Sequence, residues 1–195
     1  IMRIFITGGN GQLGRSFYRL LSQDKTKIVQ YSMLEGEINT FCQDMEIEED
    51  KRKDLVTTVD ITNESQVQQV ITAFSPDIII NCAAHTAVDL CEQQEELAYK
   101  LNGLAPRYLA KTAQSINAKY VQVSTDYVFA GNGNRPYLEE DATDPQSVYG
   151  RTKLVGEQEA LKNCDKTFVV RTAWVYGDGK NFVKTMLRLA KDHDT

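Results

Sequence analysis

The segment RIFITGGNGQLG, Arg3 to Gly14, narrows the fold more than any other part of the chain. A short apolar run, Arg3 to Thr7, ends in a glycine-rich turn, after which Leu13, Phe17, Leu20 and Leu21 recur at helical spacing. Strand, glycine turn and helix in that order form a phosphate-binding corner. Gly8 permits the tight turn, Gly11 lets the backbone approach a pyrophosphate, and Gly14 lets the helix pack on the strand. The helix N-terminus then aims free N–H groups at the anion. A glycine pattern alone is weak evidence; its strand and helix context supports it here.

The rest of the chain repeats the alternation. KIVQY (27–31) reads as a second strand, VTTVDI (56–61) as a third ending at Asp60, and the near-continuous apolar run DIIINC (77–82) as one buried on both faces. YVQVST (120–125) and TFVVRT (167–172) follow. Asn63 and Gln66 make a capping box for a helix with Val67, Val70, Ile71 and Phe74 inward, and Pro76 ends it. Leu90 to Ile116 reads as a long helix with an irregularity near Asn102 and Pro106. The pattern predicts an α/β fold: a Rossmann-like, doubly wound parallel sheet with helices on both faces. Residues 34–55 are acidic and aperiodic and predict a solvated face or mobile insertion within one dinucleotide-binding domain spanning 2–195.

Composition removes several classes of function. With 195 residues and 42% hydrophobic content the chain can bury a full core. A net charge of -5 without any basic run argues against nucleic acid as a partner. No apolar stretch is long enough to span a membrane, and Met2, after Ile1, leads into a strand rather than a signal peptide, so a cytoplasmic location is expected. Cys42, Cys82, Cys91 and Cys164 show no metal-ligand spacing and read as free thiols; no metal site is expected in this stretch.

The chemistry concentrates between Ser124 and Lys153. Thr125 ends a strand, and Tyr149 and Lys153 stand four apart on a helical pattern, so both project from one face. Such a set can protonate a carbonyl oxygen while a nicotinamide delivers hydride to its carbon. Bringing a phenol from about 10 to about 7 asks roughly 4 kcal/mol of Lys153 and the cofactor's charge. At the end of the second strand, Ser32 and Met33 stand where an NAD site usually has a carboxylate for the ribose 2′-hydroxyl. NADPH and NADH both stay open, with Glu35 able to reach the ribose and Arg15 or Lys27 a phosphate. His85, in the small-residue stretch AAHTAVD, reads more simply as a loop histidine than as a catalyst.

Taken together, TGGNGQLG, NCAAHTAVD, STDYVFAGNG, YGRTKLVGE, RTAWVYG and NFVKTMLRLAK resemble the dTDP-4-dehydrorhamnose reductases, extended short-chain dehydrogenases that reduce the 4-keto group of a dTDP-6-deoxyhexulose to give dTDP-L-rhamnose. The resemblance covers nearly everything outside residues 34–55. It implies that NADPH or NADH lies on Gly8, Asn10, Gly11, Gln12, Leu13 and Gly14, with Asp60 and Ile61 beside the adenine and Ala83, Ala84, His85 and Thr86 further along. Tyr149 becomes the proton donor, Lys153 the residue that tunes it and binds the nicotinamide ribose, and Thr125 the hydroxyl that steadies the oxyanion. Thr125, Asp126 and Trp174 match positions that contact the dTDP-sugar substrate. The acidic residue often found after the second strand in the family falls at Ser32. Members are longer, so the C-terminal substrate-binding part is expected to be largely missing, with 173–195 as its start; in some members that part carries a homodimer dependent on Mg2+.

Two rivals share the scaffold. A nucleotide-sugar 4,6-dehydratase would need a second carboxylate directly after Asp126, where Tyr127 stands, and a 4-epimerase would keep its NAD bound through the cycle. A non-catalytic regulatory subunit, such as the beta subunit of methionine adenosyltransferase, can retain the same three residues.

Overall fold

The computed structural model describes residues 1–177 and 181–192; residues 178–180 and 193–195, within the expected start of the substrate-binding part, lie outside the described residues. The six strands are β1 (Met2–Thr7), β2 (Lys27–Met33), β3 (Val56–Thr58), β4 (Ile78–Asn81), β5 (Lys119–Thr125) and β6 (Thr167–Thr172). They form one sheet in the order β3-β2-β1-β4-β5-β6. Every pair is parallel, with Ile4 opposite both Val29 and Ile78. The order reverses between β1 and β4, which leaves a crevice at their carboxyl ends where such sheets take ligands.

The helices are α1 (Gln12–Leu21), α2 (Glu35–Asp44), α3 (Glu49–Leu55), α4 (Glu64–Phe74), α5 (Val88–Gln93), α6 (Glu95–Ala98), α7 (Ala105–Ser115), α8 (Val148–Asn163) and α9 (Phe182–Asp192). Strand alternation sorts side chains into two cores. Phe5, Ile79 and Tyr120 face α4, α7 and α8 residues such as Val67, Leu109 and Ala160, while Ile4, Ile6, Val29 and Tyr31 face the other layer.

That second layer corrects the expectation for residues 34–55. The segment is no mobile insertion but the crossover between β2 and β3, folded as α2 and α3. Ile38, Phe41, Cys42 and Met45 fall at helical spacing, and Phe41 is fully buried with its ring 5.8 Å from Tyr31 and 5.7 Å from Tyr18. The acidic residues around this stripe occupy the solvent side. β3 is also shorter than VTTVDI suggests, although Val59 N still donates to Met33 O at 3.1 Å.

The expected irregularity before Pro106 is a π-helical turn, Tyr99–Leu104. Pro106 has no N–H for the Asn102 carbonyl, so the ladder must loosen there. The capping box is half formed. Asn63 accepts from Gln66 N at 3.1 Å, but the Gln66 side chain turns to accept from Asp60 N at 2.7 Å. All four cysteines are free, and no helix among the described residues is long and apolar enough to cross a membrane.

Candidate active site

The glycine corner is built as its sequence demands. Gly8 has φ +66°, and a Cβ there would stand 2.7 Å from Ala83 N. A Cβ on Gly14 would meet both Gly8 O and Gly9 O at 2.5 Å, so α1 can cross β1 this closely only with hydrogen at that position. Gly11 is the N-cap of α1 and offers no side-chain cap, so the first-turn N–H groups stay available to an anion. Gln12 and Leu13 line the crevice with Gly8 and Gly11, whereas Asn10 and Gly14 do not. Arg15 donates to Asn10 O at 2.9 Å, Asn10 Oδ1 at 2.7 Å and Asp44 at 2.7 Å, which braces the turn rather than freeing a cation for a phosphate.

The end of β2 forms one end of the crevice. Ser32 lies there buried, with an Oγ that has no hydrogen-bond partner, and Met33 and Leu34 continue the wall. Glu35 turns away to accept from Thr58 Oγ1 at 2.6 Å, and Lys27 pairs with Asp24. Besides Asp60, the carboxylate that lines this end of the crevice is Glu37, which also accepts from Leu34 N at 3.0 Å. Its signal was its place at the third residue of a helix that the acidic composition concealed. Val59, Asp60, Ile61 and Thr62 close this end; Asp60 accepts from Thr62 N at 2.9 Å.

Beyond the switch point, Cys82, Ala83, Ala84 and Thr86 line the crevice and His85 does not. The His85 ring reaches Gln94 at 3.1 Å, while its backbone is clipped by Asn102. Oδ1 of Asn102 accepts from His85 N at 2.8 Å, and Nδ2 donates to His85 O at 3.1 Å and to Thr152 Oγ1 at 3.2 Å. The π-helical turn thus carries a buried amide that ties this loop to α8.

Thr125, Tyr149 and Lys153 meet in the same crevice, which has a volume of about 1000 Å³. Thr125 ends β5, and its hydroxyl accepts from Tyr127 N at 3.2 Å while donating to Asp126 Oδ1 at 3.2 Å. α8 begins at Ser147, whose Oγ accepts from Gly150 N at 3.1 Å. A Cβ on Gly150 would lie 2.3 Å from Tyr127 O, so this glycine is what lets the first turn of α8 press on the 126–128 turn. The Tyr127 ring meets Tyr149 edge-on at 5.6 Å. Trp174 lines the crevice too, 59% exposed and with φ +49°.

The electrostatics differ from the expectation. Burial pushes the Tyr149 phenol above its ordinary value, and the Thr125 hydroxyl pulls it back only in part. Lys153 is 4% exposed, donates to Val123 O at 2.7 Å, and is itself brought down to about 8 by burial, against the pull of Glu157. Sequence shows the neighbouring charge but not the depth of burial. Among the protein's own groups desolvation wins.

A doubly wound sheet, an open helix N-terminus at its switch point and a Tyr-x-x-x-Lys helix facing that corner define a Rossmann-like protein of the extended short-chain dehydrogenase class. More narrowly, the chain belongs to the RmlD substrate binding domain family, whose model matches residues 2–195. It is 41% identical over 195 residues to a dTDP-4-dehydrorhamnose reductase of Salmonella typhimurium, covering 100% of this chain and 58% of that protein. Crystal structures of dTDP-4-dehydrorhamnose reductases superpose closely. That from Clostridium acetobutylicum has TM-score 0.82 and 44% identity over 99% of this chain and 61% of its own. That from Bacillus anthracis, in complex with NADP, has TM-score 0.82 and 38% identity over 100% of this chain and 62% of its own. The chain therefore spans about three-fifths of the length of the proteins it matches.

Proposed function

We propose that the chain forms the cofactor-binding part of an NAD(P)H-dependent reductase that converts dTDP-4-dehydrorhamnose to dTDP-L-rhamnose. The observation that carries this reading is the convergence of Thr125, Tyr149 and Lys153 on one crevice with the glycine corner. The names of the relatives and the NADP in one of them support it.

The crevice fits a dinucleotide on its own terms. Its volume suits one, the α1 N-terminus offers unclaimed N–H donors, and the orphaned Ser32 Oγ waits for a polar partner. Gly8, Gly11, Gln12 and Leu13 would hold the pyrophosphate, and Ser32, Glu37, Asp60 and Ile61 the adenosine. Ala83, Ala84 and Thr86 would lie along the nicotinamide half, with Asn10, Gly14 and His85 as scaffold. A reduced nicotinamide bound there would supply the hydride.

The remaining work falls to the chain. Tyr149, with its proton held more tightly than an ordinary phenol's, stays protonated at neutral pH. That suits reduction, because an alkoxide is a far stronger base than a phenolate and takes the proton readily. Thr125, whose hydroxyl proton points to Asp126 Oδ1 in this structure, would turn it to the same oxygen as charge builds there. Lys153 keeps one donor on Val123 O and has two more for a ribose. Asp126 and Trp174, at the outer end, would contact the sugar nucleotide, and Tyr127 in place of a second carboxylate speaks against a dehydratase.

Tyr149→Phe in the natural full-length protein tests the reading. Turnover should fall by about 10²- to 10⁴-fold, with the dissociation constants of NADPH and NADH, followed by fluorescence titration, changed less than twofold. A loss below tenfold would mean that another acid delivers the proton.

A further inference from the structure

Tyr149, Lys153 and Glu157 follow one another at four-residue steps on α8, so they share one face. Glu157 is 2% exposed, a depth at which a carboxylate persists only if fully partnered. Its partners come from two other elements. Ser124 Oγ donates to Oε1 at 2.5 Å; Arg171 donates through Nε at 3.0 and 3.2 Å and through Nη2 to Oε2 at 2.7 Å. Each partner directly precedes a residue of the crevice, Ser124 before Thr125 on β5 and Arg171 before Thr172 on β6. Thr172 Oγ1 then donates to Ser124 O at 3.2 Å and closes the ring.

We propose that Glu157 is a positioning residue of the site: its carboxylate fixes Ser124, and through it Thr125, and supplies the counter-charge that anchors the Lys153 ammonium. The inference rests on the reading of Thr125, Tyr149 and Lys153 as the reacting set. Lys153, buried, and Arg171, partly exposed, both come to the wedge between α8, β5 and β6, where Glu157 pairs with Arg171 at 2.7 Å and stands one helical turn beyond Lys153 on the same face. Removing it leaves Arg171 with the Glu139 carbonyl and the Phe129 ring, and leaves the buried Lys153 ammonium with a backbone carbonyl and no counter-charge on its own helix face. The other groups facing this cluster cannot substitute. Cys82, beyond β4, is pushed up to about 12 by burial and stays a neutral thiol. Cys91 on α5, with Asp126 and Tyr127, faces Tyr149. A merely structural ion pair would not need to hold the residue next to Thr125.

The test is the titration of Lys153, read by NMR of ¹³C-labelled lysine in this chain without substrate or cofactor, its resonance identified with Lys153→Arg. Glu157→Gln should lower the Lys153 midpoint by about one pH unit or more. Arg171→Gln, which leaves Glu157 to Lys153 alone, should raise it, and decides the matter if Glu157→Gln does not fold. In the full-length protein, Glu157→Gln should move the alkaline limb of kcat downward by the same amount, with cofactor affinity at pH 6.5 within twofold. Unchanged midpoints in a folded variant, with only a lower melting temperature, would overturn the proposal. Because the titration needs no turnover, its failure is distinct from failure of the reductase reading.

Discussion

Lys153 should cost this protein stability, and the cost should disappear as pH rises. Its ammonium is buried, which brings its affinity for protons from the ordinary 10.5 down to about 8. At about 1.4 kcal/mol for each pH unit, the difference is on the order of 3 kcal/mol. Below pH 8 the folded and unfolded chains both carry the proton, and the folded state bears the full penalty. Between about 8 and 10.5 the folded chain has released the proton while the unfolded chain still holds it, so stability rises with pH across that window. Lys153→Met keeps the length of the side chain, removes the titration and leaves Glu157 paired to Arg171. The carbonyl it abandons is not orphaned, since Gln122 Nε2 also donates to Val123 O at 2.8 Å. Urea unfolding followed by circular dichroism from pH 7 to 10 should therefore show wild type gaining most of those 3 kcal/mol on the variant. Taking the difference between the two proteins cancels the tyrosines, which titrate in both. In melting temperature the same change is about 6–12 °C for a chain of this size. A difference that stays constant within about 1 kcal/mol over this range, or that moves the other way, would refute the account of Lys153 as a desolvated cation.

Two glycines should respond oppositely to alanine. Gly14→Ala drives a methyl into Gly8 O and Gly9 O, backbone atoms that cannot step aside, and should lower unfolding free energy by about 1–3 kcal/mol; Gly36→Ala, with nothing within 4 Å, should raise it by up to about 1 kcal/mol, both read from urea midpoints. At the β2 end of the crevice, Glu37→Gln removes one of its lining carboxylates and should tighten NADPH several-fold while leaving NADH within about twofold, by fluorescence titration; an equal change for both would remove Glu37 from cofactor selection.

Much of the fold was legible because its signals are local. The glycine corner, the Asn63 cap, the doubly buried β4 and the Pro106 irregularity are each written within a few residues. For residues 34–55 the acidic side chains do form a solvated face, but the mobile-insertion alternative fails for a physical reason. The stripe Ile38, Phe41, Cys42 and Met45 is a complete helical face, but high acidity weighed against it, although charge on the other faces is what a surface helix should have. At the site, residue types pointed to the proposed set of Thr125, Tyr149 and Lys153, which share one crevice, but the sequence could not reveal which partners they choose. That Lys153 turns to Val123 O, that Arg15 is occupied by Asn10 and Asp44, and that Glu37 rather than Glu35 reaches the crevice depend on which strand lies opposite which helix. The depth of burial that raises Tyr149 is likewise a property of the assembled layers.

The precision of the site follows from how α8 is seated. A helix carries Tyr149 and Lys153 on one face by periodicity alone, but periodicity says nothing of where that face points. Here successive turns of α8 are fastened by different elements. Val148 N donates to Glu92 of α5 at 2.7 Å, Gly150 admits the Tyr127 carbonyl, and Thr152 accepts from Asn102 of the π-helical turn. Gly156 lets the Asn102 carbonyl, to which Pro106 can donate nothing, approach to where a Cβ would stand 2.1 Å away, and Glu157 locks the helix to β5 and β6. Two of these fastenings are glycines and two are buried polar groups, neither of which a hydrophobic core would select for stability. Their common effect is to leave α8 no freedom to rotate or slide without breaking a short contact. That is the constraint the proposed proton donor would need, if its oxygen is to stay within hydrogen-bond reach of a ketone that Thr125 also contacts.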